Sequence, residues 1–250
     1  MSGHSKWSKI KHQKGADDIK RGNLFTKLTR EIIVSAREGG GSAENNFRLR
    51  LAVQKARDSN MPLDNIDRAI RKGTGELGGG SLAEMILEGY GPNGIAILVN
   101  ALSDNRNRTV QEVRSTFTRH GGSLGESGCV SWLFDSKGVI TIKPDGLNTD
   151  EVALSAIDAG AEDVKEEGNY VEVYTKPEEL EGVRKALEQK GLPVDTSELL
   201  MVPKTIVKLD EKAAEQTLRL LDKLEEIDGV QNVFSNADFP DAVLAGYQSQ

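Results

Sequence analysis

At 250 residues, with 37% hydrophobic and 28% charged side chains, the chain has the composition of a folded globular protein and is longer than one typical core organises. Its formal charge of −7 is laid out unevenly: residues 1–80 hold 16 Lys and Arg against 9 acids, whereas the remainder holds 16 against 30. These totals exclude a disordered chain, and no apolar run approaches the roughly 20 residues that cross a bilayer, so no membrane partner is expected.

The chain opens Met-Ser-Gly-His-Ser-Lys-Trp, without the apolar stretch of a secretory signal, and its one cysteine, Cys129, has no internal partner. A cytoplasmic, reducing location is the expectation. The stretch from Ser5 to Lys14 carries Lys6, Lys9, Lys11 and Lys14 around Trp7. Trp7 can stack on an unstacked base, or dock the arm on the core together with Ile10; the clustered lysines point to phosphates.

From Phe25, apolar residues recur at Phe25, Leu28, Ile32 and Ala36, the spacing of an amphipathic helix. Lys20, Lys27, Arg30 and Arg37 fall near the opposite face, while Arg21 falls on the apolar side, so the regular helix is expected from about Gly22 to Gly39-Gly40-Gly41. Asn45 or Asn46 caps a second helix carrying Leu49, Val53 and Ala56 inward and Arg48, Arg50, Lys55 and Arg57 on its flanks. It breaks at Asn60-Met61-Pro62, and a short third helix runs through Leu63, Ile66 and Ile70 to Gly73, with Arg68, Arg71 and Lys72 in its later turns. The second and third helices resemble a helix-turn-helix, a weak signal that any helical hairpin gives.

After the linker Gly78–Ser81, strands are expected at Leu82–Glu88 and Ile95–Leu102 around Gly91-Pro92-Asn93-Gly94. Thr109-Val110-Gln111-Glu112 reads as a capping box opening a helix that carries Val113 and Phe117 inward, and Cys129–Phe134 as a strand. Arg106 and Arg108, just ahead of that cap, form a candidate anion site, unless local acids pair them. Then comes strand (139–142), helix (150–159), strand (near Asp163), strand (170–174), helix (177–189) and strand (192–201), the β-α-β-β-α-β order of a ferredoxin-like domain. A strand at 205–209, a helix at 210–225 and a strand at 230–234 are too few to stand alone and would complete a second such unit with residues 95–134.

The predicted class is α+β: an N-terminal all-helical domain followed by two ferredoxin-like α/β domains, one inserted into the other. The expected bounds are 1–78, 82–135 plus 204–240, and 136–203.

Catalytic chemistry has no constellation to rest on. His4, His12 and His120 share no ligand spacing, Cys129 reads as a core filler, and Glu84 and Glu88 lie on one strand face about 13 Å apart. No Gly-x-x-x-x-Gly-Lys-Ser/Thr loop occurs, so no enzyme activity, cofactor or metal is expected. The candidate nucleic-acid contacts are Lys6, Trp7, Lys9, Lys11, Lys14, Lys20, Arg21, Lys27 and Arg30.

Gly3-His4-Ser5-Lys6-Trp7, with Phe25-Thr26-Lys27 and Arg30-Glu31-Ile32, resembles the opening signature of the YebC/PmpR family. Asn60-Met61-Pro62, Glu88-Gly89-Tyr90-Gly91-Pro92, Asp104-Asn105-Arg106-Asn107-Arg108-Thr109 and Gly121-Gly122-Ser123-Leu124-Gly125 resemble its later blocks, so the likeness spans the chain. The resemblance implies three domains without known catalysis. It points both to promoter DNA, as in probable transcriptional regulators, and to ribosomal RNA. The latter follows from a mitochondrial activator of cytochrome oxidase translation and from a proposed relief of ribosome stalling at proline-rich stretches. It leaves the ribosome and the nascent peptide open as partners, and the oligomeric state unassigned.

Overall fold

A computed structural model describes residues 18–78, 82–144, 146–167 and 170–248. Among these residues three helices come first: α1 (Asp18–Gly39), α2 (Phe47–Asp58) and α3 (Leu63–Gly73). The 3.6-residue apolar period of α1 buries Leu28, Ile32 and Ala36 against Leu49, Val53 and Ala56 of α2 and Ile66 and Ala69 of α3. Helix α1 begins at Asp18, a turn earlier than the apolar period indicates, so Lys20 and Arg21 are helical in backbone.

Asn46 fixes the α1–α2 corner. Its Oδ1 accepts the Leu49 amide at 3.0 Å, and its Nδ2 donates to the carbonyls of Ser35 and Gly40 at 2.7 and 2.8 Å. One buried side chain therefore caps α2 and ties down the end of α1. Gly73 sets how closely α3 approaches α1: a Cβ there would stand 2.5 Å from the Ile33 carbonyl oxygen and 2.7 Å from the Ala36 Cβ. Gly73→Ala is expected to cost about 1–3 kcal/mol by overpacking, read as a lower urea midpoint with an unchanged slope; an unaltered midpoint would refute the close approach.

The remaining chain builds two sheets. Strands β1 (Ala83–Tyr90) and β2 (Ala96–Ser103) form a hairpin, followed by α4 (Arg106–Arg119) and the two-residue β3 (Ser123–Leu124). The chain then runs through β4 (Phe134–Ile142), α5 (Thr149–Asp158), β5 (Asp163–Glu167), β6 (Tyr170–Thr175), α6 (Leu180–Gln189) and β7 (Val194–Pro203). It ends with β8 (Val207–Lys208), α7 (Glu211–Glu225), β9 (Val230–Ser235), β10 (Ala237–Asp238) and α8 (Asp241–Gln248).

The second sheet, ordered β5-β6-β4-β7 and antiparallel throughout, has the expected ferredoxin-like topology, with α5 and α6 covering Ile140, Ile142, Val171 and Val173. It is inserted into the chain of the first sheet, ordered β3-β1-β2-β9. That sheet packs α4 and α7 on one face through Phe117, Val113, Leu218 and Leu221. The architecture is thus α+β, a helical unit followed by sheet units.

Four local expectations change. The first sheet connects as β-β-α-β and then α-β, because β1 pairs with β2 along its whole length and β9 takes the other edge of β2. The strand expected at 205–209 is left outside this sheet, and β8 pairs with β10 in a separate parallel ribbon. Cys129–Phe134 is not a strand: Ser131–Leu133 forms a 3-10 turn, and the strand begins at Phe134. Finally, α4 starts three residues before Thr109, since Asn105 caps it by accepting the Arg108 amide, while the buried Thr109 hydroxyl donates to Ser103 at 2.8 Å.

Candidate nucleic-acid interface

The basic residues of the helical unit divide by what they touch. Lys27 Nζ donates to the Glu225 carbonyl at 2.7 Å, and the Arg30 guanidinium grips the Asp228 carboxylate at 2.6 and 3.1 Å as well as its carbonyl. The Arg30 hydrogen bond holds the Asp228 carboxyl below the usual range despite partial burial. Both residues, read from sequence as phosphate contacts, are committed in this structure to the C-terminal end of α7 and the loop that follows it.

Helix α2 makes the companion contacts. Arg48 meets Glu31 at 2.9 Å, Glu38 at 2.8 Å and Glu84, the second residue of β1, at 2.9 Å. Arg50 binds Glu181 of α6 through Nε at 2.6 Å, and Lys55 meets Glu198 of β7 at 2.6 Å. The Glu198 charge raises the Lys55 pKa against the opposing effect of burial. Phe47 and Leu51 of α2 add apolar contact with the core of the second sheet. The charge asymmetry seen in sequence is therefore partly internal: basic helices lie on acidic sheet units.

Arg57, Arg68, Arg71 and Lys72 are exposed on α2 and α3 and make no ion pair among the described residues. They were legible in sequence only as helix-flank and late-turn cations. Lys6, Trp7, Lys9, Lys11 and Lys14 lie outside the described residues, as do His4, His12 and the side chains of Lys20 and Arg21.

Arg106 and Arg108 part company. Both sit in the first turn of α4, but Arg108 turns to Asp104 at 3.2 Å, whereas Arg106 lines a cleft with Arg114 two turns further on.

Glu84 and Glu88 also have separate tasks. Glu84 serves Arg48, and the buried Glu88 carboxylate accepts the amides of Gly128, Val130 and Ser131 at 2.7, 2.8 and 2.7 Å. Burial raises the Glu88 pKa, but the three amides outweigh it and hold the carboxyl below its ordinary value. This explains the turn at Cys129–Leu133: its amides are aimed at a carboxylate and are not free for a sheet ladder. Among the described residues no group of three or more His, Cys, Asp or Glu could hold a metal ion, and no helix is long and apolar enough to cross a membrane.

Residues 5–76 match the N-terminal domain of TACO1/YebC proteins, and residues 82–237 match their second and third domains. A probable transcriptional regulatory protein of Dehalococcoides mccartyi (strain CBDB1) is 61% identical over 250 residues, covering 100% of both chains. One from Geobacter sulfurreducens is 56% identical over 95% of this chain and 96% of its own. The crystal structure of a conserved hypothetical protein from Aquifex aeolicus superposes with a TM-score of 0.83 at 48% identity, covering 92% of this chain and 96% of that one. Matched along nearly its whole length in sequence and fold, the chain belongs to the TACO1/YebC family.

Proposed function

We propose that this protein is a non-enzymatic, cytoplasmic regulator of gene expression that binds DNA through the basic surface of its helical unit. The carrying observation is the division of cations described above. With Lys27, Arg30, Arg48, Arg50 and Lys55 committed to the sheet units, Arg57, Arg68, Arg71 and Lys72 remain exposed on the unit whose N-terminal arm holds Lys6, Lys9, Lys11 and Lys14. The contact surface is this second group together with Trp7, Lys20 and Arg21. Regulation at the level of transcription agrees with the names of the relatives. In this reading the chain has three domains: 1–78, 82–135 with 204–240, and 136–203.

A second reading, ribosomal RNA as target with the nascent peptide near the sheet units, draws on one observation. The acidic excess of residues 81–250 repels a long duplex but is no obstacle where RNA and protein surfaces alternate. Crosslinking in cells with sequencing of the attached nucleic acid, alongside ribosome sedimentation, separates the two. Promoter fragments without ribosomal RNA uphold the DNA reading, and ribosomal RNA without DNA overturns it.

For either polyanion, the combined change of Lys9, Lys11 and Lys14 to Ala is expected to flatten the salt dependence of binding. The slope of log K against log salt should fall by about 0.7–0.9 for each phosphate that is no longer neutralised. An unchanged slope removes the arm from the interface.

A further inference from the structure

We propose that the cleft between α4 and the outer edge of β1 is a second nucleic-acid site, one that takes a single unpaired nucleotide with its flanking phosphates. The cleft encloses about 380 Å³, at the small end of the range for small-molecule sites. That is room for one nucleotide and too little for a duplex. Strand β3 covers β1 only at Gly89 and Tyr90, so the edge beside Ile86 stays open.

One wall carries the donors. Arg106, Asn107, Gln111 and Arg114 line the cleft from α4; all four are exposed, and their side chains have no hydrogen-bond or ion-pair partner among the described residues. Eight residues of helix separate the two arginines by about 12 Å along its axis, so each can hold its own phosphate. The amides of Asn107 and Gln111 lie between them, where they can reach a base edge.

The opposite wall is mixed: Ile86, Leu87 and Leu124 line it beside Gly125 and Ser127, and its apolar part suits a base or sugar face. Ile86 is unusually open to solvent for an isoleucine at 55%. The carboxylate in this wall, Glu88, is turned onto three backbone amides and does not compete for the arginines. Arg108, half of the pair singled out in sequence, is not part of the cleft; Asp104 holds it.

The site stands on its own geometry and does not depend on the helical surface. The test uses the full chain and a fluorescein-labelled oligouridylate of about twelve nucleotides, followed by anisotropy across a salt series. The double variant Arg106→Ala/Arg114→Ala is expected to lower the slope of log K against log salt by about 1.4, the value for two phosphates of a single strand. Arg108→Ala should leave it unchanged, and photocrosslinks from a 4-thiouridine probe should map to residues 106–114.

An unaltered slope in the double variant overturns the proposal. So does a self-complementary duplex of the same length that binds with equal dependence on Arg106 and Arg114. Polyglutamate that protects the 106–114 segment where oligouridylate does not would assign the cleft to acidic peptide and overturn it as well. The lysine variant of the arm distinguishes the two sites: loss of the lysine-dependent slope with the arginine-dependent slope intact supports the cleft independently, and the reverse pattern removes the cleft alone.

Discussion

Replacing Glu88 by alanine is expected to destabilise the protein by about 3 kcal/mol or more, because it strands three buried or half-buried amides at once. Each unsatisfied donor costs about 1–3 kcal/mol, more when the missing acceptor was charged. The amides of Gly128, Val130 and Ser131 have no other acceptor of this quality, since the segment they belong to is a turn rather than a sheet strand. Glu88→Gln is the sharper variant. It keeps the shape but turns an NH2 group toward donors that need an acceptor, so it should recover only part of the loss.

The pH profile supplies a second readout. The folded Glu88 pKa lies below the ordinary glutamate value of about 4.3. Its contribution is therefore fully present above that value and is lost as pH falls through the lower, folded value. The gap in unfolding free energy between wild type and Glu88→Gln should stay level from neutral pH to about pH 5 and close below it. A gap that stays constant through the acid limb would mean that the carboxylate charge is not what holds the loop.

Arg48→Ala should cost about 2 kcal/mol at low salt. One guanidinium with a third of its surface exposed pairs with three carboxylates drawn from α1 and β1. Its removal breaks the hydrogen bonds and leaves Glu31, Glu38 and Glu84 facing one another. Charged hydrogen bonds contribute about 1.5–3 kcal/mol each when shielded, and that figure is discounted here for solvent screening. Arg48→Lys should rescue little, because a single ammonium cannot hold three acids in the fork geometry. Urea unfolding at low and at high sodium chloride tests this: the deficit should shrink as salt screens the three-acid repulsion. A deficit independent of salt would assign the effect to packing by the arginine stem.

Much of this was legible in the sequence wherever the deciding interaction is local. A cap at Asn45 or Asn46, the stop at Gly39-Gly40-Gly41 and the break at Asn60-Met61-Pro62 follow from contacts within a few residues, and the structure has all three, with Asn46 as the cap. The β-α-β-β-α-β order of residues 134–203 was likewise readable from alternating periods. Distant partners decided the rest. Thr109 reads as the cap from its local motif, but Asn105 takes that place, and the Thr109 hydroxyl has a buried partner in Ser103. The apolar run at 129–134 has the composition of a strand, but a carboxylate some forty residues upstream bends it into a turn.

The candidate site divides in the same way. The segregation of Lys27 and Arg30 to one helix face was visible in the periodicity, but their acceptors stand 198 residues away. A charge count cannot tell a cation reserved for a neighbouring domain from one offered to a ligand. Arg114, unremarkable in sequence, gains its interest only from the open edge of β1 across from it.

The insertion of the second sheet sets an order of assembly. Strand β9, which completes one edge of the first sheet, pairs with β2 across more than 120 residues of intervening chain, whereas the second sheet is contiguous from Phe134 to Pro203. Closing the longer loop carries the greater entropy cost, and on a ribosome its last partner emerges almost at the end of synthesis. The second sheet is thus expected to fold while the first waits, with β1, β2 and α4 held as an unfinished layer until α7 and β9 arrive. Truncation beyond about residue 210 should accordingly leave a folded second sheet attached to a first sheet that cannot close.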